Sequence, residues 1–366
     1  MGQHKTMTSV SEVRKPQIVP VTSTKGGEGK STQAGNLAGF LADSGLRTLL
    51  IDGDHSQPTA SSIFALQYEA PCGLYELLMQ SVDLCRPEQI ISRSFIPNLD
   101  VIISNDPHDR LPVAMLHAPD GRLRLRNVLQ HALFSQYDVI IIDSKGAASV
   151  MLELILLAAT EFTLGVIKPI LPDTREFLRG TLGVLEGLLP LTSFGIPLPA
   201  VRILTNCMEH TNLDWQTLNS LRDIIATGQY LRADVFDVSL LNTIIPKLEI
   251  YKMGHASGQP VHRLEKTTTR TSTLAAADTL YELACELFPH WAADFDAMRQ
   301  EGLEGQEGEA TCVGCGCTDG HACLDEHHTP CHWLKVNRKT GRGVCSSCPT
   351  FIGHPLTTEG KGGRNA

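Results

Sequence analysis

The run Lys25-Gly26-Gly27-Glu28-Gly29-Lys30-Ser31-Thr32 concentrates more chemistry than any other segment of the chain. The apolar stretch Ile18 to Val21 precedes it, and a helix-like stretch, Gln33 to Ser44, follows. That strand–loop–helix setting is what a phosphate-binding loop requires. Gly26, Gly27 and Gly29 let backbone N–H groups turn inward and approach an anion closely. The following helix adds the positive end of its dipole. Lys30 would neutralise β- and γ-phosphates, and the Ser31 hydroxyl would ligate Mg²⁺. Lys25 sets a second cation at the mouth of the loop, where an ordinary phosphate loop has no use for one. Two acidic strand ends complete the set. The run Arg47 to Ile51 leads into Asp52-Gly53-Asp54, and Tyr137 to Ile142 leads into Asp143. A lone Asp after a strand is usually a turn or cap residue. Two of them beside a phosphate loop suit Mg²⁺ binding through water, or orientation of an attacking water.

A second constellation lies near the C-terminus, where seven of the eleven cysteines crowd into residues 312–348. Cys312-x₂-Cys315 and Cys345-x₂-Cys348 are two CxxC pairs separated by a loop, the spacing of a tetrahedral zinc site. Cys317, Cys323 and Cys331 could make a second Zn²⁺ site with one of His321, His327, His328 or His332. A segment this small has little core, so metal would supply its folding energy. An iron–sulfur cluster is the rival occupant, since four thiolates suit it too. Cys72, Cys85, Cys207 and Cys285 are scattered and read as core thiols.

The elements that must position these residues are readable as alternation. Leu99 to Ser104, Glu161 to Ile167 and Val201 to Thr205 extend the series of short, continuous apolar strands. Helical patterns over Leu123 to Phe134, Thr174 to Leu188, Leu213 to Ala226 and Leu274 to Leu287 separate or follow them. Buried strands alternating with helices predict an α/β fold, a mostly parallel sheet with helices on both faces. Right-handed crossovers then bring the strand C-termini, and the chemistry, to one edge. The expected organisation is a flexible tail at 1–15, a nucleotide-binding domain at 16–290, an acidic Gly-rich linker at 291–311, the metal-stabilised cysteine module at 312–354 and a disordered tail at 355–366.

With 366 residues, 42% hydrophobic, the chain suffices for one large domain with something appended. A net charge of −9 argues against a globally basic nucleic-acid coat, so any DNA contact must be a local patch. Candidates are Arg122, Arg124 and Arg126, then Lys247 and Lys252, then Arg263, Lys266 and Arg270. No apolar run reaches the roughly 18–20 residues of a membrane span. The polar N-terminal segment has no signal-peptide core. A cytoplasmic location is the expectation.

The motifs, in order, resemble those of the ParA/MinD family of deviant Walker ATPases. KGGEGKST resembles the deviant Walker A box, LLIDGDHSQPTAS the segment after the second strand, DVIIID the Walker B strand, ILTNCMEH the segment that meets adenine, and TIIPKLEIYKMGHASGQPV the stretch before the final helix. The resemblance covers roughly residues 17–288. It implies slow, partner-stimulated ATP hydrolysis by a homodimer that sandwiches two ATP molecules. Lys25 would reach across to the partner's phosphates, Lys30 would bind phosphates in its own subunit, and Ser31 would hold Mg²⁺. Thr32 would support the α-phosphate, Asp54 would position the hydrolytic water, Asp143 would lie behind Mg²⁺, and Asn206 would read the adenine edge. It further implies a role in partition or transfer of plasmid, phage or integrated-element DNA, with nonspecific DNA and a ParB-like adaptor as partners. A cysteine module occupies the position of the membrane-binding helix of MinD relatives, so no membrane partner is expected. Ser144-Lys145-Gly146 departs from the small residues and prolines that commonly follow the Walker B aspartate, and bears on hydrolysis more than on binding. The alternative function is an iron–sulfur carrier or scaffold of the same broad superfamily.

Overall fold

The computed structural model describes residues 15–54, 59–106, 108–268, 270, 272–304, 310–324, 329–337 and 341–354. The strands of the large sheet are β1 (Gln17–Thr22), β2 (Thr48–Asp52), β3 (Leu66–Tyr68), β4 (Ser92–Ser94), β5 (Leu99–Ile102), β6 (Val139–Asp143), β7 (Phe162–Ile167), β8 (Ala200–Met208) and β9 (Val238–Pro246). The helices are α1 (Lys30–Asp43), α2 (Leu74–Met79), α3 (Leu111–His117), α4 (Arg124–Val128), α5 (Val150–Ala158), α6 (Leu171–Leu188), α7 (Asn212–Ala226), α8 (Ile250–Ser257), α9 (Val261–Leu264), α10 (Ala276–Leu287) and α11 (Ala292–Glu304).

The sheet order is β3-β4-β5-β2-β6-β1-β7-β8-β9, and every pair except β3–β4 and β4–β5 is parallel. β2, β6 and β7 are buried at every position. This is why their sequences are continuous apolar runs rather than alternating ones. In β6, Ile140 and Ile142 join one core with Ile51 of β2 and Leu154 and Ile155 of α5. A second core gathers Ile167, Ile203, Phe177 and Leu185 beneath α6. Register places Asp52 beside Asp143, and Asp143 beside Val21, so three strand ends converge where the chain leaves β1.

Three sequence expectations change. The stretch Leu123 to Phe134 is not one helix: a 3-10 turn at Gly121–Leu123 leads into α4, and a second one follows at Ala132–Gln136. Between them His131 adopts an extended conformation and accepts from Leu133 N–H through its ring. Leu125, Val128, Leu133 and Phe134 still face one core, so the apolar spacing survives the break. The linker expected at 291–311 opens with the helix α11. The third change is β9, with the short β3 and β4, none of which carries a continuous apolar run.

The chain divides into two compact units, Met1–Ala292 and Ala293–Ala366. The second holds a three-stranded sheet in which β12 (Arg342–Cys345) pairs in parallel with β10 (Thr311–Cys312) and antiparallel with β11 (Trp333–Asn337). Trp333 donates through Nε1 to Asp319 at 2.7 Å. The expected tails at 1–15 and 355–366 lie almost wholly outside the described residues. Among the described residues no helix is long and apolar enough to cross a membrane.

Candidate nucleotide site and cysteine cluster

The loop between β1 and α1 folds as its glycines require. Gly27 and Gly29 have φ of 81° and 90°, a region that costs residues with a Cβ. Gly29 is also pinned sterically, since a Cβ there would stand 2.3 Å from Asn206 Nδ2. α1 opens without a side-chain cap and with no acidic residue in its first turn. No N-cap side chain competes for its first turn, which favours an anion at the helix N-terminus.

Lys30 starts α1, is 6% exposed, and donates from Nζ to the Lys25 carbonyl at 3.1 Å. Burial lowers its pKa, while the Asp143, Asp54 and Glu28 carboxylates act in the opposite direction. Asp143 is fully buried, and apart from the Ser31 hydroxyl beside it, its carboxylate oxygens have no hydrogen-bond partner among the described residues. Burial and then the Asp52 carboxyl push its pKa up to about 8, against Ser31 and Lys30. A buried carboxyl group whose lone pairs are largely unused, beside a serine hydroxyl and a lysine, fits a hydrated divalent cation.

The two aspartates of the Asp52-Gly53-Asp54 turn divide their work. Asp52 is buried and accepts from Ser61 N and Oγ, both at 2.7 Å, and from Asp54 N at 3.1 Å. Burial pushes its pKa up to about 6 despite those bonds. It shapes the turn, and Asp54 stands half-buried at the mouth. On the other side, between Thr205 and Met208, which pair with Ile244 and Pro246, β8 carries one more residue than the facing stretch of β9. Cys207, inside that bulge, has φ of 58°. The bulge delivers Asn206 to the phosphate loop, where Nδ2 donates to the Glu28 carbonyl at 2.7 Å and Oδ1 accepts from Gln33 at 3.1 Å. A cavity of about 650 Å³ adjoins this point, bordered by Gly29, Gln33, Asn206, Pro246 and Tyr251.

Lys25 is 46% exposed at the mouth and pairs with Asp173, which is 5% exposed on the first turn of α6. That hydrogen bond is the main cause raising the Lys25 pKa, and burial opposes it. Sequence reasoning missed Asp173, which lies far from the loop and carries no motif. It also missed Glu28 as a brace: its side chain is buried and accepts from Lys168 N at 2.9 Å. Lys145 lies 3.9 Å from Asp109. The neighbouring Gly146 presses against the loop so closely that a Cβ would stand 2.7 Å from the Lys25 carbonyl oxygen.

The basic residues proposed for DNA are mostly paired. Arg122 bonds Glu153, Arg124 bonds Asp120, Lys247 bonds Glu209 and Lys252 bonds Glu249. Arg263 bonds Asp43 and Arg270 bonds Glu265, while Arg126 donates to the Leu157 carbonyl.

In the second unit the cysteines gather as expected but sort differently. Cys312, Cys315, Cys317 and Cys345 bring their sulfurs within 4.8 Å of one another, and so do Cys317, Cys323, Cys331 and Cys345. Of the expected quartet, Cys312, Cys315 and Cys345 fall in the first group with Cys317, and Cys348 lies against those same three thiols. The second group is completed by Cys345 rather than by a histidine. The reason is the strand register, since β12 runs beside β10 and delivers Cys345 into the middle of the group. His321 and His332 are outside both quartets, and His327 and His328 lie outside the described residues.

Fold and site together define a P-loop nucleotide-binding protein with a second lysine at the loop mouth. A family profile described as "AAA domain" matches residues 16–170. The chain is 30% identical over 238 residues to the cell division protein PomZ of Myxococcus xanthus, spanning 65% of this chain and 69% of that one. It is 26% identical over 249 residues to the sporulation initiation inhibitor protein Soj of Bacillus subtilis, spanning 67% and 90%. Among solved structures, the ATP complex of Cyanothece McdA(D38A) superposes with a TM-score of 0.57 at 17% identity, covering 78% of this chain and 96% of that one. Pyrococcus horikoshii MinD with Mg-ADP gives 0.55 at 19%, covering 76% and 98%. The chain belongs to the ParA/MinD family of P-loop ATPases. Across curated relatives it spans from 45% to 90% of their length.

Proposed function

We propose that this chain is an ATP-binding and hydrolysing switch that dimerises around two nucleotides and serves partition or transfer of plasmid, phage or integrated-element DNA. The observation that carries the reading is the division of labour between two lysines. Lys30 is buried within the loop, and Lys25 is exposed at its mouth. One cation suits phosphates in its own subunit, and the other is accessible to a second copy. ATP with Mg²⁺ supplies a γ-phosphoryl group poised for in-line attack. Toward it, Lys30 neutralises phosphate charge, Thr32 supports the α-phosphate, and Ser31 with Asp143 would hold Mg²⁺ and its waters. Asp54 orients the attacking water at the mouth. Asn206 borders the cavity suited to the base and holds the loop in shape.

The DNA role is supported by relatives named for related work, among them the chromosome partitioning protein ParA of Myxococcus xanthus, 31% identical over 177 residues, 48% of this chain and 56% of that one. DNA contact would draw on a face assembled by dimerisation, since the candidate cations of one copy are mostly paired. A ParB-like adaptor fits as the stimulating partner. For the cysteine module the proposed occupant is Zn²⁺. A Zn–S bond of about 2.3 Å gives a tetrahedral S···S edge of about 3.8 Å, and the close sulfur contacts run from 3.6 to 3.8 Å.

Size-exclusion chromatography with light scattering tests the switch. Wild type should pass from monomer to dimer with ATP and Mg²⁺, while Lys25→Ala should stay monomeric and folded. Calorimetry showing no ATP uptake by the intact chain would falsify the reading.

A further inference from the structure

We infer that Lys145 is a third cation of the nucleotide site, held by Asp109 in the absence of ATP and passed to the γ-phosphate when ATP binds. Lys145 is the charged residue of the departure that follows the Walker B aspartate. The inference rests on the ATP reading of the phosphate loop and adds the residue that tells ATP from ADP.

The backbone around Lys145 is fixed against the phosphate loop. Asp143 ends β6, and Lys145 follows it closely. Ser144 N–H donates to the Val21 carbonyl at 3.2 Å, and Ala147 N–H returns to the Lys145 carbonyl at 3.0 Å, so the chain turns sharply there. Gly146 comes next, against Lys25 and Gly26. A Cβ on it would stand 2.7 Å from the Lys25 carbonyl oxygen and 2.9 Å from Gly26 N. That same carbonyl accepts from Lys30 Nζ at 3.1 Å. One oxygen is therefore flanked by the buried lysine of the loop and by the neighbour of Lys145. A flexible lysine stem starting from that turn can reach the mouth of the loop.

The fold also places the acceptor. Asp109 lies between β5 and α3, in a turn closed by its N–H on the Asp106 carbonyl at 3.2 Å. Asp106 is 1% exposed and accepts from Leu111 N–H at 2.7 Å, which anchors that turn to the start of α3. Lys145 Nζ stands 3.9 Å from Asp109 Oδ1, and the Asp109 side chain is 61% exposed. A pair so long and so open to water contributes little. Lys25, by contrast, is engaged closely with the buried Asp173. Of the two lysines at the mouth, Lys145 holds the looser pair. The loop has use for it, because Asp143 and Asp54 already act on Lys30, and Asp52 adds its charge at Asp143. The γ-phosphate brings negative charge that ADP does not. A charge-assisted bond to one of its oxygens outweighs an exposed pair at the distance seen for Asp109.

The test is calorimetry on the full chain with Mg²⁺ and either ADP or a non-hydrolysable ATP analogue. Lys145→Ala should weaken the analogue about tenfold and leave ADP within about twofold. Lys145→Gln, which keeps most of the stem, should match it, and Lys145→Arg should recover most of the loss. Asp109→Asn should tighten the analogue by about two- to threefold and leave ADP unchanged. Urea midpoints equal to that of wild type would tie these changes to the phosphate rather than to folding. The same measurements in a Lys25→Ala background, where no dimer is expected, should keep the dependence on Lys145, because the contact lies within one subunit. Equal loss for both nucleotides, no loss for either, a weaker analogue in Asp109→Asn, or a dependence that vanishes with Lys25→Ala would overturn the inference and leave the ATP reading intact. Wild type that takes up neither nucleotide would overturn both.

Discussion

Lys25 and Asp173 show what a residue-scale contact contributes to a switch. The lysine that the family reading assigns to the neighbouring subunit is held in this chain by an aspartate of its own. The pair competes with any engagement across a dimer, but it is exposed at the lysine end and therefore weak. Asp173→Asn should lower the ATP concentration needed for half-maximal dimerisation by a factor of about two to five. Light scattering across an ATP titration reads this, and an unchanged or raised midpoint would count against competition. Asn206 acts differently, because both ends of its amide are used on the loop. Asn206→Ala leaves the buried Gln33 amide and the Glu28 carbonyl without that partner. At about 1–2 kcal/mol for the lost pairing, ATP affinity should fall roughly tenfold by calorimetry, with the fold intact.

At the scale of elements, the clasp between α1 and α9 holds the helix that begins at the phosphate loop. Asp43, the last residue of α1, accepts from Arg263 Nε at 2.6 Å and Nη2 at 2.5 Å, and meets His262 Nε2 at 2.8 Å. Asn36 adds a bond from Val261 N–H at 2.9 Å. Burial works to raise the Asp43 pKa, yet Arg263 and His262 hold it down at about 2, against an ordinary 3.8. A depressed carboxylate stabilises the fold fully above its unfolded pKa, and that contribution is lost as pH falls through the folded value. Burial lowers the His262 pKa below its ordinary 6.5 although Asp43 opposes it, so its contribution also declines as pH falls below that value. Asp43→Asn should cost about 1–3 kcal/mol at neutral pH, discounted for partial exposure. Its stability should also vary less than wild type between pH 4 and 2. Urea melts across that range check both, and parallel pH profiles would remove the clasp from the account.

For the whole molecule, the two units draw stability from different sources. The first has buried strands and two apolar cores. The second is a small sheet around sulfurs, so the proposed metal binding would be coupled to its folding. Chelation under reducing conditions should therefore unfold residues 310–354 and leave the first unit's melting and ATP affinity unchanged. Hydrogen exchange resolved by peptide would show this, and loss of protection in β1 or β6 would contradict it.

The phosphate loop, its two lysines, the acidic ends of β2 and β6 and the order of buried strands were legible in the sequence. Each is a local pattern: glycines at fixed spacing, or a continuous apolar run ending in a carboxylate. β9 was not legible because its burial does not run continuously along the strand. The break between Leu123 and Phe134 stayed hidden because the apolar spacing continues across it. Asp173 on Lys25, the bulge that delivers Asn206, the pairing of the basic residues and the place of Cys317 among the clustered sulfurs were decided by tertiary structure alone. In each case the partner is remote in the chain or set by strand register, and neither spacing nor composition encodes which distant side chain a fold brings within a few ångströms.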